Sequence, residues 1–263
     1  NLIEMAIDKE SQGFTFLFSI IMVVVVATVL SLAAMGLKGP QDENMKQEKM
    51  QNILGSLQIE VSREEARLTF GDFVKKRLIL NYKGEVTSES EGAIKSLAAD
   101  GKAAFEADAF NLDIKKQFRD KSKPDSERRY PLFICEKEGS KYYVIPLIGT
   151  GLWGPIWGFV ALEGDMNTVF GATFDHKTET PGLGAEINQG WFENPFIGDK
   201  IFDESGEFVS IKVIKGGTTP DNLHGVDAIT GGTITSNGVS SMLENTLKVY
   251  VPYFKNNSDI ASI

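Results

Sequence analysis

Cysteine is almost missing from this 263-residue chain: Cys135 stands alone, so no disulfide can form within it. A single cysteine fits a cytosolic protein and equally an exported domain large enough to need no staple, so the compartment stays open on this ground. Histidine is nearly as scarce, and His176 and His224 have no cysteine or histidine neighbour at metal-ligand spacing, which argues against a zinc site. Positive charge is also short, with 27 Lys and Arg against 36 Asp and Glu and a net charge of -9. A phosphate backbone would repel such a surface, so no nucleic acid is expected as a partner. Neither an internal repeat nor a low-complexity tract is present. What remains, 42% hydrophobic and 24% charged residues, is the composition of a folded chain with one large domain or two small ones.

Charge is wholly absent from Phe14 to Leu37, a run centred on Ile20-Ile21-Met22-Val23-Val24-Val25-Val26. As a helix it would be about 36 Å long, enough to cross a ~30 Å hydrocarbon core with some tilt. Its polar members, Thr15, Ser19, Thr28 and Ser31, can return their hydroxyl protons to helix carbonyls and so tolerate lipid. A buried helix of a soluble core seldom stays uncharged for so long. A cleaved signal peptide would show a basic flank and a shorter apolar stretch, whereas Asp8, Lys9 and Glu10 precede this one. An uncleaved anchor in contact with membrane lipid is therefore expected over residues 14–37, after an N-terminal tail at 1–13. Lys38, Lys46 and Lys49 follow the span and only Lys9 precedes it, so the positive-inside rule puts the large domain in the cytoplasm by a small margin.

Gly39-Pro40 is expected to end or kink the membrane helix. Residues 41–69 read as helix, with Met45, Met50, Ile53, Leu54, Leu57 and Val61 at three- and four-residue spacing, giving a helical stalk over 38–69. A domain over 70–263 follows, within which 81–126 has the charged, weakly periodic composition of an insertion. Tyr130–Cys135 and Lys141–Ile148 are β-rich runs on either side of a turn at Gly139, a hairpin. Gly158–Leu162 and Thr168–Phe174 look like further strands, with Gly171 marking a bulge or a close backbone contact. Val239, Met242, Leu243, Leu247, Tyr250, Val251 and Phe254 mark one amphipathic helix capped by Ser236 or Asn237. The fold class expected is α+β, with a single N-terminal transmembrane helix before a domain built on an antiparallel sheet.

A helix starting near Ser236 makes Thr230-Gly231-Gly232-Thr233 the loop that feeds its N-terminus. Free N–H groups and the positive end of the helix dipole favour an anion there. The glycines let backbone approach a ligand, and Thr230, Thr233, Thr235 and Ser236 add hydroxyls. On these grounds alone a plain capped turn explains the run at least as well.

Asp227-Ala228-Ile229-Thr230-Gly231-Gly232-Thr233 resembles the flavinylation motif of the FMN-binding domain family: Asp, two variable residues, Ser or Thr, Gly, a small residue, and an acceptor Thr. In that family a flavin transferase moves FMN from FAD onto the threonine as a phosphoester, so the resemblance implies covalent FMN on Thr233. Gly232 departs from the family's usual Ala but stays small. His176–Gly184 is similar to the family's second element, which lies against the flavin, and Lys215-Gly216-Gly217 to a third. The Gly149–Gly154 stretch and the N-terminal span are similar to the members found in Na+-translocating NADH:quinone oxidoreductases. The resemblance does not reach residues 81–126.

Its implications are specific. FMN-binding residues would be Thr230, Gly231, Gly232, Thr233 and Thr235 in the loop, with Glu179, Thr180, Gly182 and Leu183 against the ring. Pro181-Gly182 would also make a turn without any ligand. Lys215 pairs with phosphate or ring, or is an ordinary surface lysine, and Trp153 stacks near the flavin or sits in the core. Glu179 and His176 are equally explained by an exposed turn. Asp227 serves transferase recognition, holds the loop, or is a solvated carboxylate. Thr233 has no obvious base in its run except Asp227, consistent with an external transferase. The implied function is electron transfer within a Na+-pumping NADH:quinone oxidoreductase whose other subunits are partners. This chain alone carries no NADH site, and no residue of it is expected to be catalytic or to bind metal. The family places the flavin domain outside the bacterial cytoplasmic membrane, against the charge count. An Rnf-type or stand-alone flavin carrier, and an anchored non-redox anion-binding module, are the competing readings.

Overall fold

The computed structural model describes residues 12–120 and 122–258. The expected tail at 1–13 therefore lies outside the described residues up to residue 11. In chain order the elements are α1 (Gln12–Ser56), α2 (Ala66–Phe73), β1 (Val74–Leu80), β2 (Val86–Glu91), α3 (Leu97–Ala107), α4 (Ile114–Arg119), β3 (Tyr130–Lys137), β4 (Ser140–Thr150), β5 (Pro155–Leu162), β6 (Val169–His176), α5 (Gly190–Glu193), β7 (Lys212–Ile214), β8 (Gly225–Asp227), α6 (Thr233–Leu247) and α7 (Val251–Asn257). Two compact units result, one ending at Gln47 and the other running from Glu48.

In the first unit α1 carries the uncharged run, and the side chains from Phe16 to Leu37 lie largely exposed on it. Ser19 and Thr28 donate their hydroxyls to the carbonyls of Thr15 and Val24 at 2.7 Å, which removes the cost of placing them in lipid. The helix continues through Pro40 instead of ending there. It stops at Ser56, because Gln58 takes a left-handed φ of 57° and closes a Schellman motif: Ile59 N–H bonds the Leu54 carbonyl and Gln58 N–H that of Gly55. The expected helix over 41–69 is thus divided. Ser62 and Glu65 then form a reciprocal capping box ahead of α2.

The second unit is a six-stranded antiparallel sheet, β2-β1-β3-β4-β5-β6, with packing on both faces. Period-two alternation divides each central strand between two cores. Tyr130, Leu132, Ile134, Tyr143, Ile145 and Leu147 join α6 residues Val239, Met242, Leu243 and Leu247 on one face. Phe133, Cys135, Val144, Phe159 and Ala161 join Met50, Ile53, Leu54, Leu57 and Phe70 on the other. Gly171 is the close contact its position suggests: a Cβ there would lie 2.5 Å from the Ser56 carbonyl oxygen. The C-terminal helix is segmented, since a 3-10 turn at Lys248–Tyr250 separates α6 from α7 just before Pro252.

Residues 81–126 are not appended to the domain. They supply β2, which pairs with β1, and they enclose Arg77, whose side chain is fully buried. The guanidinium makes two 2.8 Å bonds to the Asp108 carboxylate and further bonds to the carbonyls of Gly92 and Ala93. Burial pushes the Asp108 carboxyl up, but Arg77 and the N–H groups of Lys95 and Phe110 outweigh it and hold it below the usual range. Asp108→Asn leaves a buried guanidinium short of its counter-charge, so it should destabilise the fold by about 3 kcal/mol. Chemical denaturation at neutral pH checks this, and a loss below about 0.5 kcal/mol would show the pair to be dispensable.

Candidate functional site

The Asp227–Gly232 loop joins β8 to α6. Gly231 has a φ of 78°, where a side chain would be strained, and Gly232 N–H bonds the Ile229 carbonyl at 3.0 Å to close the turn. At Gly232 itself a Cβ would sit 3.0 Å from Ile229 Cγ2, so an alanine there requires Ile229 to give slightly.

The helix begins four or five residues earlier than a cap at Ser236 or Asn237 would place it. Gly232 is the flanking residue and Thr233 the first helical one. Ser236 is instead buried in the first turn, where its hydroxyl accepts the Ile229 N–H at 3.1 Å, while Asn237 is exposed. Ser236 thus has the chemistry of a helix cap but spends its hydroxyl on the preceding loop. The first backbone bond of the helix runs from Ser236 N–H to the Gly232 carbonyl. The N–H groups of Thr233, Ile234 and Thr235 therefore precede the helical ladder, beside the half-buried Thr233 side chain.

A hollow of about 240 Å³ opens at this helix start, lined by Glu179, Thr180, Leu183, Gly231, Gly232, Thr233 and Thr235 together with Leu152, Gly184 and Ile234. Glu179 organises it. Its carboxylate accepts the Thr235 hydroxyl at 2.6 Å and the Trp153 N–H at 2.8 Å, and it also takes bonds from the N–H groups of Leu152 and Gly154. The residue is 4% exposed. Burial pushes its carboxyl up, and the bonds from Thr235 and the three amides outweigh that and leave it below its ordinary value. The exposed turn considered for Glu179 is thereby replaced by a buried anchor. His176 supports it from behind, its Nδ1 accepting the Glu179 N–H at 3.2 Å.

Two glycines permit this packing. A Cβ on Gly151 would meet Glu179 Oε1 at 2.6 Å, and one on Gly184 would collide with the Thr235 hydroxyl and Glu179 Oε2. Thr180 contributes its carbonyl, which accepts the N–H groups of Leu183 and Ala185 at 3.1 Å. Leu152, Leu183 and Ile234 are exposed apolar side chains around the hollow. Leu152 and Ile234 adjoin recognisable motif residues, but an exposed Leu or Ile in a loop carries no signal of its own in sequence.

Other residues of the sequence-derived set lie elsewhere. Thr230 and Gly182 line a neighbouring groove of about 810 Å³, on whose wall Asp227 also stands, its Oδ1 accepting the Thr218 N–H at 2.6 Å. The larger cavity is thus not the one that holds the Thr233 hydroxyl, and proximity to that hydroxyl decides which hollow matters for its chemistry. Lys215 is exposed beyond β7 and lines neither hollow. Trp153 is 66% exposed, so the core alternative for its ring is excluded, although its backbone helps to fix Glu179. Asp199, which the sequence did not single out, lies in the larger groove. It is 7% exposed, its buried Oδ2 has no hydrogen-bond partner among the described residues, and burial pushes its carboxyl up to about 7.

The FMN-binding domain family matches residues 151–248, which contain the whole of this hollow. Over 91% of its length the chain is 31% identical to the C-subunit of the Na(+)-translocating NADH-quinone reductase of Vibrio parahaemolyticus, covering 92% of that protein. It is 30% identical to the protein of the same description from Neisseria meningitidis serogroup B, with 94% of each chain covered. The crystal structure of the corresponding protein from Parabacteroides distasonis superposes with a TM-score of 0.69 at 39% identity, over 83% of this chain and 96% of the other.

Glu179→Gln keeps the shape of the side chain but removes the charge that four donors address. It should lower stability by about 2 kcal/mol at pH 7. A carboxyl held below its unfolded value stabilises the fold above pH ~4.5 and loses that contribution as acid protonates it. The gap between the two proteins should therefore narrow below about pH 4 in thermal melts, and an unchanged gap would sink the assignment.

Proposed function

The chain belongs to the family of C-subunits of the Na+-translocating NADH-quinone reductases, a family with an FMN-binding domain, and from that premise we propose that its FMN is held covalently, as a phosphoester on Thr233. The protein is an FMN-carrying electron-transfer subunit of that oxidoreductase complex, whose other subunits are its partners.

The observation that carries the attachment reading is the place of Thr233 as first residue of α6, in a hollow that a phosphate group suits. The three unladdered N–H groups and the helix dipole would hold the phosphate. Leu152, Leu183 and Ile234 give a flat ring an apolar surface, and Gly231 lets the loop turn without a side chain in the way. Bound there, the flavin supplies reversible electron uptake and release. Thr235 has a different task from Thr233, because its hydroxyl proton is committed to Glu179. Trp153 stands at the exposed margin, and Lys215 acts from outside the hollow if it acts at all.

The same geometry supports a separate flavin transferase for maturation. A threonine hydroxyl needs a base to become a nucleophile. Glu179 shares the hollow, but four donors have lowered its basicity, and Asp227 is bound to Thr218 at the other groove. Activation must then come from the enzyme that delivers FMN from FAD. Co-expression with such a transferase should give, after denaturation, a peptide containing Thr233 heavier by FMN less one water. Thr233→Ala should lose the adduct completely while its melting temperature stays within about 2 °C, equivalent to roughly 0.5 kcal/mol. An unmodified wild-type peptide would refute covalent attachment, and with it would favour a non-redox anion-binding module. Identity to the NADH-quinone reductase subunits over nine-tenths of the chain favours that assembly over an Rnf-type or stand-alone carrier.

The uncharged, exposed segment of α1 supports a single-pass anchor in the bacterial cytoplasmic membrane, in contact with lipid. We read the flavin domain as lying on the periplasmic side, a reading that the family relationship supports against the small excess of Lys38, Lys46 and Lys49 over Lys9. Protease added to intact spheroplasts should then degrade the domain. Protection until the membrane is broken would reverse the orientation.

A further inference from the structure

The larger groove has no part in holding Thr233, yet its chemistry is one-sided. Glu186, Asp199 and Asp227 line it and no lysine, arginine or histidine does. Two of these acids have local work: Glu186 accepts the Gly182 N–H at 2.8 Å and Asp227 the Thr218 N–H. Asp199 has none. Its Oδ2 is shut away from water without a single hydrogen-bond partner, in a residue more than nine-tenths buried. A carboxyl in that condition weakens the fold and is retained only where something else uses it.

A second feature points the same way. β8 pairs with β7 in parallel, and Lys212 N–H bonds the His224 carbonyl while Ala228 N–H bonds that of Ile214. These bonds turn the peptide groups of His224, Val226 and Ala228 toward β7. Those of Gly225 and Asp227 consequently face the other way and make no hydrogen bond among the described residues; Gly225 is buried, whereas Asp227 is exposed on the groove wall. The exposed Asp227 peptide group is therefore free to bond an extended chain lying in the groove. Trp191, 57% exposed, forms part of the same groove and offers its indole face.

We propose that this groove binds an extended, arginine-bearing segment of a partner polypeptide, which bonds the free peptide group of Asp227 and places its guanidinium against Asp199 and Trp191. That peptide group supplies main-chain affinity without sequence preference. Specificity comes from the acid and the aromatic ring, since a planar guanidinium both stacks on an indole and pairs with a carboxylate, whereas an ammonium does only the second well. The three acids would draw in a basic segment and repel an acidic one. Because Thr233 lines the other hollow and not this groove, the inference does not depend on where the flavin is attached.

The test uses the full chain in its purified, intact complex. A photoreactive benzoylphenylalanine replaces Thr219, an exposed residue of the groove, and cross-linked peptides are sequenced by mass spectrometry. The expected product is one segment of another subunit with an arginine within about three residues of the cross-link, the reach of a side chain along a strand. Asp199→Asn should reduce the yield at least fivefold without lowering the melting temperature or flavin content, and Glu204→Gln, an exposed acid outside the groove, should not. Should the Asp199 variant fail to fold, the unsubstituted acid is probed by salt: raising it from about 0.05 to about 0.5 M should cut the yield severalfold. Cross-links only to lipid, to a segment without a basic residue, or to nothing in an intact complex would overturn the proposal. So would a yield indifferent to both Asp199→Asn and salt.

Discussion

The Glu179 carboxylate is the point at which three separate stretches of chain are fastened together. It takes N–H groups from the loop after β4, it belongs to the turn after β6, and it binds the hydroxyl of Thr235 on the first turn of α6. None of these stretches has much apolar surface of its own with which to find the others. The sheet brings them to one end of β4, β5 and β6, and the carboxylate fixes their spacing. Gly151 and Gly184 have no Cβ because that spacing leaves no volume for one. The position of Thr233 is therefore inherited from an interaction two residues away, not from its own contacts.

The sheet that carries these loops is legible in sequence to a useful degree. The hairpin about Gly139, the strands ending at Leu162 and running into Phe174, and the helical spacing from Val239 to Phe254 all follow from apolar periodicity. What failed to show was long-range in origin. Arg77 in a strand looks like a surface residue until Asp108 and two carbonyls from a charged, weakly periodic stretch enclose it. That stretch reads as an insertion because its stabilising contacts are polar, and polar contacts leave no period. Similarly, α1 is stopped at Ser56 by Gln58, a residue with no intrinsic reason to adopt a positive φ.

At the site, local pattern gave the run of hydroxyls and glycines, and the family motif gave Thr233 its chemistry. Geometry then sorted the neighbours. Thr235, Leu183 and Glu179 gather around Thr233, while Thr230 and Gly182 face a different groove and Lys215 stands apart. Sequence could not anticipate that Ser236 would serve the loop instead of capping the helix, because both uses need only a short hydroxyl. Nor could it mark Asp199, whose distinction is a buried carboxylate oxygen without a partner among the described residues.

The hydroxyl of Ser236 grips the backbone of Ile229, and within the next two turns Val239, Met242 and Leu243 are sealed in the core. A flavin fastened at Thr233, as proposed, would accordingly hang from rigid ground. A swinging-arm carrier, of the kind that ferries a group on a pliant tether, needs slack at its root, and there is none here. Any travel between an electron donor and an acceptor must come from the ribityl chain of the cofactor or from displacement of the entire domain.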